Sequence, residues 1–302
     1  MSGAQPVSVV VPTRNRPELL DGCLGTLRKS LRDIDELIVV DSASSDVRVR
    51  EVAEKHGANY IRCDLPGASR ARNRGWQSAR HEVVAFIDDD VRVDPGWASA
   101  IAEAFKNPGT GFVTGRIDEA AASHVPPLAQ KTETSAAVLD PMSDMVFGHS
   151  ANLIVRRSAL RHIGGFDELL GAGGRFRAAE DLDLFDRLFH AGYVGRYEPS
   201  VSAEHVPWRR LRDYIRVQGA YGFGSGARIA KLLRVNRRQA ARAARSAVMD
   251  SGFRPLGRAI RTQRRAGIAA RSLRLAGTAL GFLAGLLHRV RDGHYGRRPY
   301  ES

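Results

Sequence analysis

Val83-Val84-Ala85-Phe86-Ile87-Asp88-Asp89-Asp90 is the stretch on which the fold turns. Five apolar residues in succession, three of them β-branched, predict a strand buried on both faces. The strand runs straight into three carboxylates. An acidic run in an ordinary loop is usually solvated surface, but this one follows a buried strand directly. Adjacent carboxylates raise each other's pKa unless positive charge lies near. A divalent cation with oxygen ligands is the natural remedy, which makes Asp88, Asp89 and Asp90 candidate binding residues.

Upstream, similar runs occur at Val7–Val11, ended by Pro12, at Leu37–Val40 and, shorter, at Tyr60–Arg62. Helical spacing fills the gaps: Pro17–Ser30, with Leu19, Leu20, Leu24 and Leu27, then Asp46–His56 and Ser69–Ala79. Apolar strands alternating with helices predict an α/β fold whose parallel sheet is covered on both faces. Ligands bind such sheets beyond the carboxyl ends of the strands. Pro12-Thr13-Arg14-Asn15, Asp41–Asp46 and Asp88–Asp90 should therefore share one edge. Ser44, Ser45 and Asp46 also suit a helix N-cap, whereas Asp41 at the strand end reads as functional.

Taken together, Val7–Asn15 (VSVVVPTRN), Val39-Val40-Asp41-Ser42, Gly67-Ala68-Ser69-Arg70-Ala71-Arg72-Asn73 and Phe86–Asp90 resemble the family-2 glycosyltransferases of the GT-A fold, over residues 7–205. The resemblance implies a mostly parallel sheet flanked by helices, the GT-A nucleotide-diphospho-sugar transferase fold. It implies metal-dependent, inverting transfer of a sugar from a nucleoside-diphosphate sugar to the hydroxyl of a glycan, lipid or small-molecule acceptor. Pro12, Thr13, Arg14 and Asn15 would then cradle the nucleotide, and Asp41 would contact its base. Arg70, Arg72 and Asn73 would lie near the sugar nucleotide, as would Asp88 and Asp89. Asp90 would bind Mn2+ or Mg2+ on the diphosphate, with His205 as a further metal ligand.

The segment from Gly164 to Leu184 resembles the acceptor site of the same family. It ends in Glu180-Asp181, whose aspartate the resemblance makes the general base. Asp183 and Asp186 follow in the first turns of a helix, where the macrodipole alone favours acids. Gly171, Gly173 and Gly174 match neither a Walker A loop nor a dinucleotide fingerprint, and predict a mobile loop over the substrate. His149 has no comparable context. Two readings of other classes stay open at this point. A nucleotidyltransferase would also use metal-binding carboxylates at a sheet edge, but gives no reason for Glu180-Asp181 after a glycine-rich loop. A non-catalytic sugar-nucleotide-binding scaffold would bind without turnover.

The chain has 302 residues, enough for one large domain or two small ones with an appendage at roughly 100–200 residues per domain. With 43% hydrophobic and 26% charged residues, wholesale disorder and collagen-like repetition are excluded. Cys23 and Cys63 are too few for a disulfide framework or a four-thiolate zinc site, and suit a reducing compartment. Met1–Pro6 carries no signal-peptide pattern, so a cytoplasmic location is expected. No stretch reaches the ~18 uncharged apolar residues of a membrane span.

The net charge of +13 hides a division: residues 1–208 carry −5 and residues 209–302 carry +18. The expected domains are 1–118 for the nucleotide sugar, 119–206 for the acceptor and 207–302 as a basic helical extension. Helical spacing runs from Trp208 to Arg291, with breaks expected at Gly222, Gly224 and Gly226 and again at Pro255 and Gly257. Leu275–Leu287 is 13 uncharged residues with Gly277, Gly281 and Gly285 at four-residue intervals, which suits close helix packing. Three roles compete for this tail. It packs on the body or on a second subunit in a homo-oligomer, it lies on an anionic membrane at the inner face of the cell membrane, or it binds nucleic acid. Missing motifs and sparse aromatics count against nucleic acid.

Overall fold

The computed structural model describes residues 5–120, 130–140 and 148–296. Residues 1–4, part of the segment read for a signal peptide, lie outside the described residues, as do Arg297, Arg298 and Glu301 of the tail. The chain divides into two compact units, Met1–Gly165 with Leu184–Trp208, and Phe166–Asp183 with Arg209–Ser302.

In the first unit, β1 (Val7–Thr13), β2 (Glu36–Ser42), β3 (Asn59–Cys63) and β4 (Val83–Ile87) run parallel. They are joined by α1 (Pro17–Ser30), α2 (Arg48–Lys55) and α3 (Ala68–Ser78). Every residue of β1, β2 and β4 is buried, as expected of strands covered on both faces. β1 extends past Pro12 to Thr13 rather than stopping before the proline. β4 pairs with it only as far as Val10, so Pro12 sits where the strand has a neighbour on one side alone and its missing N–H is tolerated. α1 opens with Pro17 and Glu18, closes on Arg28 and Lys29, and buries Leu20, Cys23, Leu24 and Leu27 against the sheet core.

The chain continues through β5 (Val91–Val93), α4 (Trp97–Ala104), β6 (Thr110–Glu119), β7 (Ala137–Leu139), β8 (Asn152–Arg156) and α5 (Arg157–Ile163). α6 (Glu180–His190) and β9 (Val194–His205) follow. Among the described residues the sheet has nine strands in the order β3-β2-β1-β4-β8-β6-β9-β5, with β7 also on β9. β8 is antiparallel to β4 and β6, and β5 is antiparallel to β9. This is the expected α/β architecture, with a parallel half and a mixed half.

The second unit is helical: α7 (Leu211–Val235), α8 (Arg237–Arg245), a π-helical segment Ser246–Phe253, α9 (Arg254–Arg261) and α10 (Arg265–Leu286). The strands β10 (Val290–Arg291) and β11 (His294–Tyr295) form a small hairpin. Gly222, Gly224 and Gly226 do not break α7, contrary to the expectation from sequence. A Cβ on Gly226 would lie 2.0 Å from the Thr278 carbonyl oxygen of α10, so close helix approach accounts for that glycine. Pro255 and Gly257 likewise do not interrupt the helix, which runs from the π-helical segment straight into α9. Leu170, Phe176, Ala227 and Tyr295 form a core of this unit, so the glycine-rich loop packs with the tail.

Candidate active site

The carboxyl ends of β1, β2 and β4 bring the three polar segments to one edge of the first unit. Thr13 is the register partner of Asp41. Asn15 takes a left-handed conformation (φ 54°), which asparagine tolerates. Its side-chain oxygen accepts the N–H groups of Ser45 at 2.8 Å and Asp46 at 3.2 Å, and its own N–H donates to Ser44 Oγ at 2.9 Å. Asn15 thus locks two of the polar segments together, while Arg14 is exposed. Asp41 is buried, with one oxygen accepting the Ser44 N–H at 2.8 Å and the other accepting Tyr60 Oη at 2.7 Å and Arg62 Nη1 at 3.1 Å. Asp41 thus fixes the turn that follows β2, while Asp46 Oδ1 accepts the Arg48 N–H at 3.0 Å where α2 begins.

Each of the three adjacent aspartates has a protein donor. Asp88 accepts Arg72 Nη2 at 2.7 Å. Asp89 accepts Thr13 Oγ1 at 2.8 Å and Arg16 Nη1 at 3.0 Å. Burial pushes the Asp89 carboxyl up to about 6; Arg16 and Thr13 oppose the shift, and Asp90 and Asp88 add to it. Arg72 and Arg16 thus set positive charge beside Asp88 and Asp89. Arg72 is buried and reaches Asp88 from α3. Arg70 Nη1 donates to the Pro66 carbonyl at 3.3 Å. Asn73 is buried, and its Oδ1 accepts the Trp76 indole N–H at 3.1 Å.

Asp90 faces a different set of partners. The β5–β9 pairing puts Val91 opposite His205, and the Asp90 carbonyl accepts the Val206 N–H at 2.8 Å. These ladder contacts hold two buried side chains together, His205 Nε2 lying 3.6 Å from Asp90 Oδ2. The same oxygen accepts the Trp208 indole N–H at 2.7 Å, and Arg16 Nη1 stands 3.9 Å away. The Arg16 guanidinium lies 4.1 Å from the centre of the Trp208 ring, a cation–π stack over the acidic edge. Among the described residues no group of three or more His, Cys, Asp or Glu converges on a metal-sized site. The pair nevertheless fits a divalent cation chemically: one carboxylate oxygen and one imidazole nitrogen are a donor set suited to Mn2+, with a phosphate able to supply further oxygens. Glu119, the register partner of His205 on β6, is a further acid here; burial raises its pKa and His205 lowers it.

In the second unit the glycine-rich loop ends in backbone of uncommon shape. Arg177 (φ 66°) and Ala179 (φ 69°) both take left-handed conformations immediately before Glu180-Asp181. Strain of this kind concentrates at functional sites. Glu180 and Asp181 are half-buried, and Asp181 Oδ1 accepts the Leu182 N–H at 2.8 Å. Tyr221 of α7 senses both acids. Burial pushes its hydroxyl up to about 12; Arg209 opposes the shift, and Glu180 and Asp181 reinforce it. Asp183 is a structural group: Lys231 Nζ lies 2.6 Å from it and 2.6 Å from Asp167, all three buried. Asp167 also accepts the Tyr295 N–H at 2.7 Å.

The sequence profile of the family described as Glycosyl transferase family 2 matches residues 8–164. The chain belongs to that family. As a family-2 glycosyltransferase it has curated relatives, among them the pre-mycofactocin glycosyltransferase of Mycobacterium tuberculosis. The two are 32% identical over 240 residues, covering 74% of this chain and 47% of the relative. The chain thus spans about half the length of that relative. A mannosyltransferase from Pyrobaculum calidifontis, solved with GDP-Man and Mn2+, has a similar fold. Its TM-score is 0.60 at 19% identity, with 95% of this chain and 88% of that one covered. Residues 1–349 of Staphylococcus aureus TarS give a TM-score of 0.56 at 17% identity, over 98% and 97% of the two chains. At such identities these structures speak to the fold.

Sequence reasoning missed Arg16, Trp208 and Glu119 near Asp90 and His205 in the first unit, and Tyr221 near Glu180 and Asp181 in the second. Arg16 had a visible signal, since it follows Asn15 in the cradle segment. Trp208 had a weaker one, three residues beyond His205. Tyr221 lies inside a long helical pattern with nothing to mark it.

Proposed function

We propose that this family-2 glycosyltransferase moves a sugar from a nucleoside-diphosphate sugar to an acceptor hydroxyl in one inverting displacement. The observation that carries this reading is the buried Asp90–His205 pair, 3.6 Å apart at the strand edge. Mn2+ or Mg2+ held by Asp90 and His205 would neutralise charge on the leaving diphosphate. The cradle residues Pro12 to Asn15, with Arg70 and Arg72, bind and orient the donor. Asp181 takes the proton of the acceptor hydroxyl as its oxygen bonds to the anomeric carbon, and the bond from that carbon to the diphosphate breaks. Glu180 orients the acceptor beside it. One displacement inverts the anomeric configuration.

The acceptor is a glycan, a lipid-linked glycan or a small glycoside, and the reaction takes place in the cytoplasm, as the free thiols Cys23 and Cys63 suit. The deciding experiment incubates the protein with a panel of nucleotide sugars and Mn2+, with and without EDTA, and scores nucleoside diphosphate against pyrophosphate. Nucleoside diphosphate released only with metal supports the reading. Pyrophosphate would make the chain a nucleotidyltransferase, and binding without turnover would make it a scaffold.

A further inference from the structure

Helix α10 is built inside out. Its buried residues are small: Ala270, Gly277, Thr278, Gly281 and Gly285. They meet the backbone of α7 directly, for a Cβ on Gly281 would come within 1.9 Å of the Phe223 carbonyl oxygen. Five leucines in and just after the helix point the other way. Leu273, Leu280, Leu283, Leu286 and Leu287 are 45%, 60%, 58%, 40% and 85% exposed. Spacings of three, four and seven put them on one helical face, about 21 Å long at 1.5 Å per residue. In a helix that packs by excluding water the leucines would turn inward and small or polar residues outward.

Charge says what covers this face. Residues 251–291 hold nine arginines and no acid. Arg254, Arg258 and Arg261 are exposed on α9, together with Ile260. A protein partner of ordinary composition has no need of so one-sided a field, whereas an anionic bilayer matches exposed leucines and exposed arginines on neighbouring helices. We propose that the leucine face of α10 and the arginines of α9 form a docking surface for an anionic lipid bilayer. Among the described residues no helix is long and apolar enough to cross a membrane, so α10 lies on the surface with its leucines among the acyl chains. The inference is independent of the sugar-transfer reading, because binding is measured without turnover.

The test is co-sedimentation of the full chain with phosphatidylcholine vesicles, with and without phosphatidylglycerol. Wild type should partition roughly tenfold or more in favour of the anionic vesicles, retaining a fraction when salt shortens the Debye length from about 10 Å to about 3 Å. The triple variant Leu280→Asn, Leu283→Asn, Leu287→Asn should lose the salt-resistant fraction and bind about tenfold less. Its melting temperature should hold, since those side chains are exposed. Arg254→Glu with Arg258→Glu and Arg261→Glu should remove the preference for phosphatidylglycerol. No vesicle binding by wild type, equal binding to both vesicle types, or an unaffected leucine variant overturns the proposal. So does a wild-type dimer in sedimentation velocity that the leucine variant splits, which would assign the face to a second copy.

Discussion

At Asp90 a single buried carboxylate oxygen faces Trp208 at 2.7 Å, His205 at 3.6 Å and Arg16 at 3.9 Å. A cation held by Asp90 and His205 would draw on the same carboxylate that the Trp208 N–H bonds, so its binding would change the surroundings of the Trp208 indole. Trp97 and Trp76 are buried while Trp208 is 39% exposed, which makes Trp208 a reporter of the event. Adding Mn2+ should quench wild-type tryptophan emission and leave Trp208→Phe and Asp90→Ala nearly unchanged in a fluorescence titration. Equal quenching in all three would place the cation elsewhere. Asp181→Asn keeps shape and removes basicity, so donor affinity should hold while transfer falls by roughly 10²–10⁴-fold. Unchanged turnover in the folded variant would assign the base to another group. At this scale the positions of the acids were legible, since Asp90 follows a buried strand and Asp181 opens a helix, while the role expected of Asp181 came from the family resemblance. Their donors were not, since Trp208 is 118 residues from Asp90 along the chain.

Secondary elements were more legible than their packing. β4 and α1 lie where the periodicity puts them, for strand and helix periods are local properties of the chain. The row of glycines in α7 reads as a break because glycine lowers helix propensity in isolation, while packing against α10 outweighs that local preference. Gly281→Ala should accordingly destabilise the helical unit by about 1–3 kcal/mol, read as a lower melting temperature. A melting temperature equal to wild type would mean that α7 and α10 separate without cost. Lys231 makes a sharper case. It is buried between Asp167 and Asp183 at 2.6 Å from each, which fastens both ends of the 166–183 loop to α7. Lys231→Met leaves two buried carboxylates uncompensated and should cost about 3–5 kcal/mol in denaturant unfolding. A loss below about 1 kcal/mol, less than a tenfold change in the unfolding equilibrium, would show that water reaches the acids.

On the scale of the whole molecule, the basic region is more than an appendage to an acidic body. Residues 166–183 group with 209–302 rather than with the sheet. Removing 209–302 takes Lys231 from Asp167 and Asp183 and uncovers Leu170 and Phe176. Limited proteolysis of a chain ending at Trp208 should therefore cut within 166–183 at sites protected in the full chain. Equal protection in both would make the loop self-supporting. The sequence by itself determined the alternation of strands and helices, the polar edge that follows the strands, and the division of charge between the two parts. These are properties of neighbouring residues and survive without knowledge of contacts. Only the tertiary structure decided that Arg16, Arg72 and Trp208 answer the aspartates, that Lys231 fastens the glycine-rich loop, and that α10 turns its leucines outward. Each depends on which distant side chains meet, and that distance is not written in local composition.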